Sequence, residues 1–470
     1  MPCPPSAVWH HCEVLSSART DVPPGSAGPT EDRRRPRPLL TWLAAAGLAL
    51  LAAAVGWSRL TPQVRNTVWA EDGRFFLQEQ YDLGFAAALF HPYQGYLHVL
   101  PRALVALASH LGPVERFAVD VTALCCLAAG VVGGAVFVLT KGLLRSVVAR
   151  SLLALVPVIV PLAPMEIAGN AANLHWYLLF LTPFVFLTPV RGRTRAVVLG
   201  VVTLFIGWSE IQMLAFVPLL LVGIRDRRRW PMIAGALVGG GSQVVATLTH
   251  PRVPAALEPN TIGDVVLGFL AEPVAGSVTW DLTAVGENVV TNGVLVTLVL
   301  PFVVLVAVLA AALWLGQPGQ RWVLVVLAYG AVVVWGAALL LNPTPQAAVA
   351  HFDADAWRSL WPVRYGAIAS MFVIAAVVVA ADVLLSRRRV VLRVAGLVLV
   401  ALVVWTAVAN AAVDRANRQD GPFWDQQVDT ARTECLARPG TDGAGTAGIA
   451  PAPRWTTEIP CALLEGDAAR

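Results

Sequence analysis

The apolar residues of this chain come in runs of about twenty, and no other feature limits its fold so strongly. A helix of that length crosses the ~30 Å hydrocarbon core of a bilayer. An amphipathic stripe can be hidden against one soluble core, but so many unbroken runs cannot. They lie at 39–59, 117–139, 151–164, 174–190, 196–209, 211–224, 231–249, 293–315, 322–341, 365–385 and 390–412, about eleven in all. Charged residues make up 14% of the chain, against about 25% in soluble proteins. The expected fold is all-α: a polytopic transmembrane helical protein with long exoplasmic loops and a small exoplasmic C-terminal tail. Residues 1–38, rich in Pro, Gly, Ser and Arg, read as a disordered cytoplasmic tail. The transmembrane domain is 39–412 and the C-terminal tail 413–470. The first run, Leu39 to Trp57, is too long for a signal-peptide core and has no convincing cleavage site, so it reads as an uncleaved span.

Basic residues test this count, because Lys and Arg collect on the cytoplasmic side. Arg33, Arg34, Arg35 and Arg37 precede the first run. Lys141, Arg145 and Arg150 follow the second, and Arg191, Arg193 and Arg195 the fourth. Arg225, Arg227, Arg228 and Arg229 follow the sixth, Arg321 the eighth, and Arg387, Arg388 and Arg389 the tenth. Every even-numbered span thus returns to the basic side. The same parity splits 196–224 into two short helices turning at Trp208-Ser209-Glu210, since both of its ends are basic. It also places the apolar stretch 97–110 along the interface, because one more crossing there would invert everything after it. The N-terminus is then cytoplasmic and the C-terminus exoplasmic, in the cell membrane. The exoplasmic segments are 60–116, 250–292, 342–364 and 413–470, with a short turn at 165–173.

Of six cysteines, Cys3 and Cys12 fall in the N-terminal tail, and Cys125 and Cys126 read as packing residues of the second span. Cys435 and Cys461 share the exoplasmic tail, where an oxidising environment preserves disulfides, and are expected to be bridged.

Polar residues with chemical capacity concentrate on the same side. The first loop carries Glu71 and Asp72 beside Trp69, Phe75 and Phe76, then His91, Tyr93, Gln94, Gly95, Tyr96, His98 and Arg102. A carboxylate in so apolar a setting can serve as general base or bind a divalent metal. It can equally be a solvated loop acid, or, for Asp72 before Gly73, a helix cap. The turn after the third span holds Glu166, Asn170, Asn173, His175 and Trp176. These are suited to hydrogen-bonding sugar hydroxyls and stacking on a pyranose, or to capping a helix with an interfacial Trp. Arg364 stands where a loop holding His351, Asp353, Asp355, Trp357, Arg358 and Trp361 meets the membrane. Its planar fork suits phosphate, and its stem suits snorkelling to headgroups. Asp120, Asp382 and Glu210 lie close enough to span ends to be merely solvated. No His/Cys set has zinc-ligand spacing, no Ser/His/Asp triad can be assigned, and there is no Walker loop or fixed-period repeat.

A first span followed by an acidic pair in a long exoplasmic loop with an interfacial helix resembles the GT-C superfamily of membrane glycosyltransferases. Protein O-mannosyltransferases and lipid A aminoarabinose transferases belong to it. The run Gly95-Tyr96-Leu97-His98 then Pro101-Arg102 looks like actinobacterial-type members. The resemblance implies transfer of a hexose or pentose from a polyprenyl-phosphate-sugar to a glycan, lipid or protein acceptor of the cell envelope. It implies that Asp72 or Glu71, here in the order Glu-Asp, supplies the base or the ligands of a divalent metal such as Mg or Mn. Of the two, Asp72 is favoured. It further implies that Arg364, and with it Arg102, holds donor phosphate, while His98, Asn170, Asn173, His175 and Trp176 contact substrate.

Two other classes share the many helices. A transporter or lipid flippase should show broken helices and ion sites near mid-membrane, and the long polar loops favour an enzyme over it. A non-catalytic envelope-assembly protein would tolerate loss of both loop acids. The net charge of +4 is small, and membrane lipid rather than nucleic acid is the expected partner.

Overall fold

The computed structural model describes residues 38–252, 257–438 and 443–466. The expectations for the tail 1–38 fall almost wholly outside these: Cys3, Cys12, Arg33, Arg34, Arg35 and Arg37 lie outside the described residues. The chain is mostly helical. Among the described residues, eight helices are long and apolar enough to cross a membrane: Leu39–Ser58, Val114–Gly142, Val147–Met165, Arg227–Thr249, Leu282–Leu315, Pro318–Leu341, Arg364–Leu385 and Val390–Ala409. Many of their large apolar side chains face outward uncovered, among them Leu50, Leu237, Val304, Leu341, Val398 and Trp405. A bilayer solvates such a surface and water does not. The helix Arg364–Leu385 is instead buried along nearly its whole length and forms the axis of the bundle.

Small residues set the closest helix contacts. A Cβ on Gly130 would strike the Ala49 carbonyl, and one on Gly133 the Ala154 carbonyl, so the second span presses against both of its neighbours. Without a hydrophobic drive between helices in lipid, such backbone approach supplies the packing energy.

The remaining apolar runs form shorter helices. Leu174–Leu187 is buried throughout apart from its last residue. Residues 196–224 reverse direction: Arg193–Gly207 ends at Trp208, and a 3₁₀ segment restarts at Ile211 behind the N-cap Glu210. The helix Val99–Leu111 does not cross the bundle. Its first amide donates to the Trp208 carbonyl, and Val114 just beyond its end receives the Trp424 indole, so both ends lie among the long loops. The run at 293–315 begins at a break, since Gly293 takes φ +82° and separates a loop-side helix from the apolar one.

The two kinds of connection sort to opposite ends. At one end the basic turns meet: Lys141 reaches Thr41, Arg195 reaches Thr188, Thr188 reaches the Leu139 carbonyl, and Arg229 the Phe186 carbonyl. At the other end the long loops interlock. Asn260 and Thr344 exchange hydrogen bonds, Trp361 donates to Asn417, and Asn66 donates to Asp425.

The described residues are consistent with the all-α expectation, and the tail adds one short β-hairpin to it. β1 (Ala444–Ile449) pairs antiparallel with β2 (Trp455–Pro460). Together with the helix Trp424–Leu436 and the Cys435–Cys461 disulfide, it forms a small stapled cap. The cap is docked on the first loop: Trp69 bridges to Ala450, and Thr457 donates to the Gly73 carbonyl. Cys125 and Cys126 are buried free thiols in the second span.

Candidate active site

The interlocked end encloses a cavity of about 510 Å³. Its walls come from the first loop (Glu71, Tyr93, Tyr96), the 165–176 turn (His175, Trp176), the 208–212 turn (Glu210, Gln212), Arg252, Arg364 and the cap residue Trp455. Ala337, Ala338 and Leu341 of the helix Pro318–Leu341 complete it on one side. Leu341 is 77% exposed, so this side faces the surface that an apolar environment covers.

Local geometry explains how each side chain arrives. Tyr93 and Tyr96 exchange backbone hydrogen bonds at 3.0 and 3.2 Å across a two-residue turn, Gln94-Gly95, with φ +52° and +85°. Both central residues are left-handed, the geometry of a tight hairpin turn in which Gly is preferred. Gly95 also lies 3.3 Å, at its missing Cβ, from the Arg252 amide. Buried Gln243 clamps the following segment by binding both the amide and the carbonyl of Leu97.

Glu71 and Asp72 part company completely. The backbone from Asp72 to Leu77 is a π-helical turn, and neighbouring side chains on a helix leave it in different directions. Glu71 faces the cavity, 3.9 Å from Arg364 Nη1. Asp72 turns into the protein, where it is 1% exposed and accepts the Ala171 and Ala172 amides at 2.8 and 2.7 Å. Burial pushes its carboxyl up to about 7, against the pull of those two amides and of Arg418. The preference for Asp72 as the residue facing substrate therefore does not match its position. It pins the 165–173 turn, and Glu71 is the acid at the cavity.

Arg364 lies between two carboxylates, with Glu166 Oε1 at 3.4 Å. Glu166 is held from behind by Asn417 of the tail at 3.1 Å. Burial raises the Glu166 carboxyl, and Arg364 partly offsets it.

His175 Nδ1 is hydrogen-bonded to Glu210 Oε2, and the other Glu210 oxygen accepts the Gln212 amide at 2.6 Å. Burial, followed by the charge of Glu210, pushes the Tyr96 phenol up, which keeps it a donor. Glu210 is 1% exposed, so its reading as a solvated turn acid is corrected. Asp382 is also buried and accepts from Gln320, while Asp120 pairs with Arg116.

Other expected contacts are spent elsewhere. Asn170 accepts the amide and the side chain of Asn173, and Asn173 accepts the Trp176 indole N–H at 3.0 Å. Both are fully buried; they build the turn and aim Trp176 instead of meeting a ligand. Arg102 pairs with Glu79 at 2.6 Å and lies over the Phe76 ring, away from the cavity. His98 is buried among Phe76, Tyr96 and His175. Burial holds it well below its ordinary range, with His175 and Arg102 adding to the effect. Of the nine expected catalytic and binding residues, Glu71, His175, Trp176 and Arg364 share the cavity.

The acidic pair does not fit a divalent ion. Both oxygens of Asp72 already accept amides, and Glu71 faces a guanidinium. Among the described residues no group of three or more His, Cys, Asp or Glu could hold a metal.

Glu210, Arg252 and Trp455 were not singled out as site residues from sequence. The one available signal was parity, which places the 208–210 turn on the same side as 165–173. No family model matches the chain, and no curated protein matches it.

Proposed function

We propose that this protein is a multi-pass membrane glycosyltransferase of the GT-C type. It moves a sugar from a polyprenyl-phosphate donor to a cell-envelope acceptor on the exoplasmic face. In this reading the chain crosses eleven times: the eight long helices plus Leu174–Leu187, Arg193–Gly207 and Ile211–Leu221. The basic turns are cytoplasmic and the cap exoplasmic, in keeping with the charge bias of membrane proteins.

One observation carries the reading. A single cavity beside an apolar, outward-facing helix joins a cation, Arg364, to hydroxyl-binding and stacking groups, His175 and Trp176. A polyprenyl-phosphate-sugar has the same three parts: an apolar chain, an anion and a polyol. Arg364 takes the phosphate, and Glu71 and Glu166 hold the guanidinium at that place until it does. Trp176 and Trp455 offer faces for the sugar.

The test is complementation of a deletion strain, with envelope glycans read by mass spectrometry. Arg364→Ala should lower the product about 10²–10³-fold, the usual cost of removing a group that stabilises developing charge. Wild-type glycans from Arg364→Ala, when the deletion alters them, would sink the proposal. A deletion that changes uptake or export and leaves glycans intact would favour a transporter.

A further inference from the structure

Glycosyl transfer to a hydroxyl needs a proton acceptor, and the group in the cavity whose geometry is fixed for that task is an imidazole paired with a carboxylate. Asp72 is sealed in the protein, whereas Glu71 lies in the cavity beside the Arg364 cation at 3.9 Å and, among the described residues, no carboxylate or amide orients it. We infer that the proton acceptor is His175, oriented by Glu210. The inference rests on the reading of the cavity as a sugar-transfer site.

The geometry is that of a carboxylate–imidazole pair. Ionised Glu210 can only accept, so the Nδ1 of His175 carries the hydrogen between them. This fixes the tautomer and leaves the Nε2 lone pair for a ligand, the arrangement that makes imidazole a base in Ser-His-Asp sites. Nε2 has no hydrogen-bond partner among the described residues, although the side chain is nearly enclosed. Both residues line the cavity. Glu210 is itself immobilised by the Gln212 amide, and the His175 ring is bracketed by Trp176 at 4.1 Å and Tyr96 at 6.2 Å. A rigid surround is what a positioned base requires.

In the step proposed, the acceptor oxygen forms a bond to the anomeric carbon and passes its proton to His175 Nε2. The anomeric carbon–phosphate oxygen bond breaks, and its electron pair leaves on the phosphate held by Arg364. Glu210 balances the imidazolium until the proton passes to solvent. His175 is thus the catalytic residue and Glu210 a positioning residue.

Two measurements on the full chain test this. The first is diethyl pyrocarbonate labelling in nanodiscs, read by mass spectrometry, which reports a free and nucleophilic ring nitrogen whatever the substrate. His175 should label at least ~10-fold faster than buried His98, and Glu210→Gln should slow it ~10-fold. An unreactive His175, or a rate unchanged in Glu210→Gln, overturns the assignment. The second is complementation. His175→Gln keeps a polar side chain but cannot take the proton, and should lower the glycan product ~10²–10³-fold. Glu210→Asp should restore more product than Glu210→Ala. If His175→Gln keeps full product while Arg364→Ala loses it, the base assignment fails and the transfer reading stands. If both keep it, the transfer reading fails with it.

Discussion

Both ends of the bundle hold a polar cavity, yet they are built differently. The one among the loops joins Glu71, His175, Glu210, Arg252, Arg364 and Trp455, from segments almost 400 residues apart. The one at the basic end, about 390 Å³, is lined by Arg145, Ser146, Gln317, Gln320, Asp382 and Arg387. There Asp382 is answered by a neutral amide, Gln320, and Arg145 is exposed. At the loop end, Arg364 is set between two acids, and one of them, Glu166, is itself held by Asn417 of the tail. Arginine and carboxylate occur at both places. What distinguishes a candidate site is that other parts of the chain direct each polar group inward.

The strongest way to break this comparison is to remove the anchor beneath the loop cavity. Asp72→Ala leaves two buried amides without acceptors and should cost about 3–5 kcal/mol of stability, read as thermal midpoint in detergent. Asp72→Asn keeps one acceptor and should cost less. The pH dependence has a defined sign. Burial raises the folded carboxyl from 3.8 to about 7, so the penalty for charging it is absent below the first value and complete above the second. Wild type should therefore gain stability relative to Asp72→Asn as pH falls from 8 to 6. A difference that stays flat would mean Asp72 is not charged in a buried site.

A smaller effect sharpens the role of the cap. The Cys435–Cys461 bridge closes 26 residues, and by loop entropy its loss should cost about 2–4 kcal/mol. The bridge joins two segments of the cap itself, so the double Cys→Ser variant should expose the cap to protease and leave the helices resistant. Simultaneous cleavage of both would show that cap and bundle are one cooperative unit.

The smallest effect belongs to the basic end. Arg145→Ala should change envelope glycans less than about threefold, as substitutions at exposed positions away from buried networks usually do. Loss of product as complete as in Arg364→Ala would erase the distinction between the two cavities.

How far these features were legible in the amino-acid sequence follows from their range. The crossing helices were readable because apolar runs are local. The grouping of loops was readable because charge parity needs only a count. Glu71, His175 and Arg364 were thereby assigned to one end without any knowledge of contacts. Choosing between Glu71 and Asp72 was beyond that method. The choice depends on a π-helical turn and on two amides about a hundred residues away. Asn170 and Asn173 looked like ligand groups because a turn that satisfies itself has the same composition as one that does not. Trp455 could not be assigned to the site from sequence, since its place in the wall depends on the hairpin docking onto residues 69–73.

That docking has a consequence for biogenesis. Thr457 completes the hydrogen bonding of Gly73 across 384 positions of chain. At a synthesis rate of about 5–20 residues per second, the first loop waits roughly 20–80 seconds for the segment that closes its cavity. Throughout that interval the ribosome carries a pocket with an open wall. A transcript cut short before the hairpin yields a chain with an unfinished pocket and without Cys461, so it can form neither the last wall nor the disulfide.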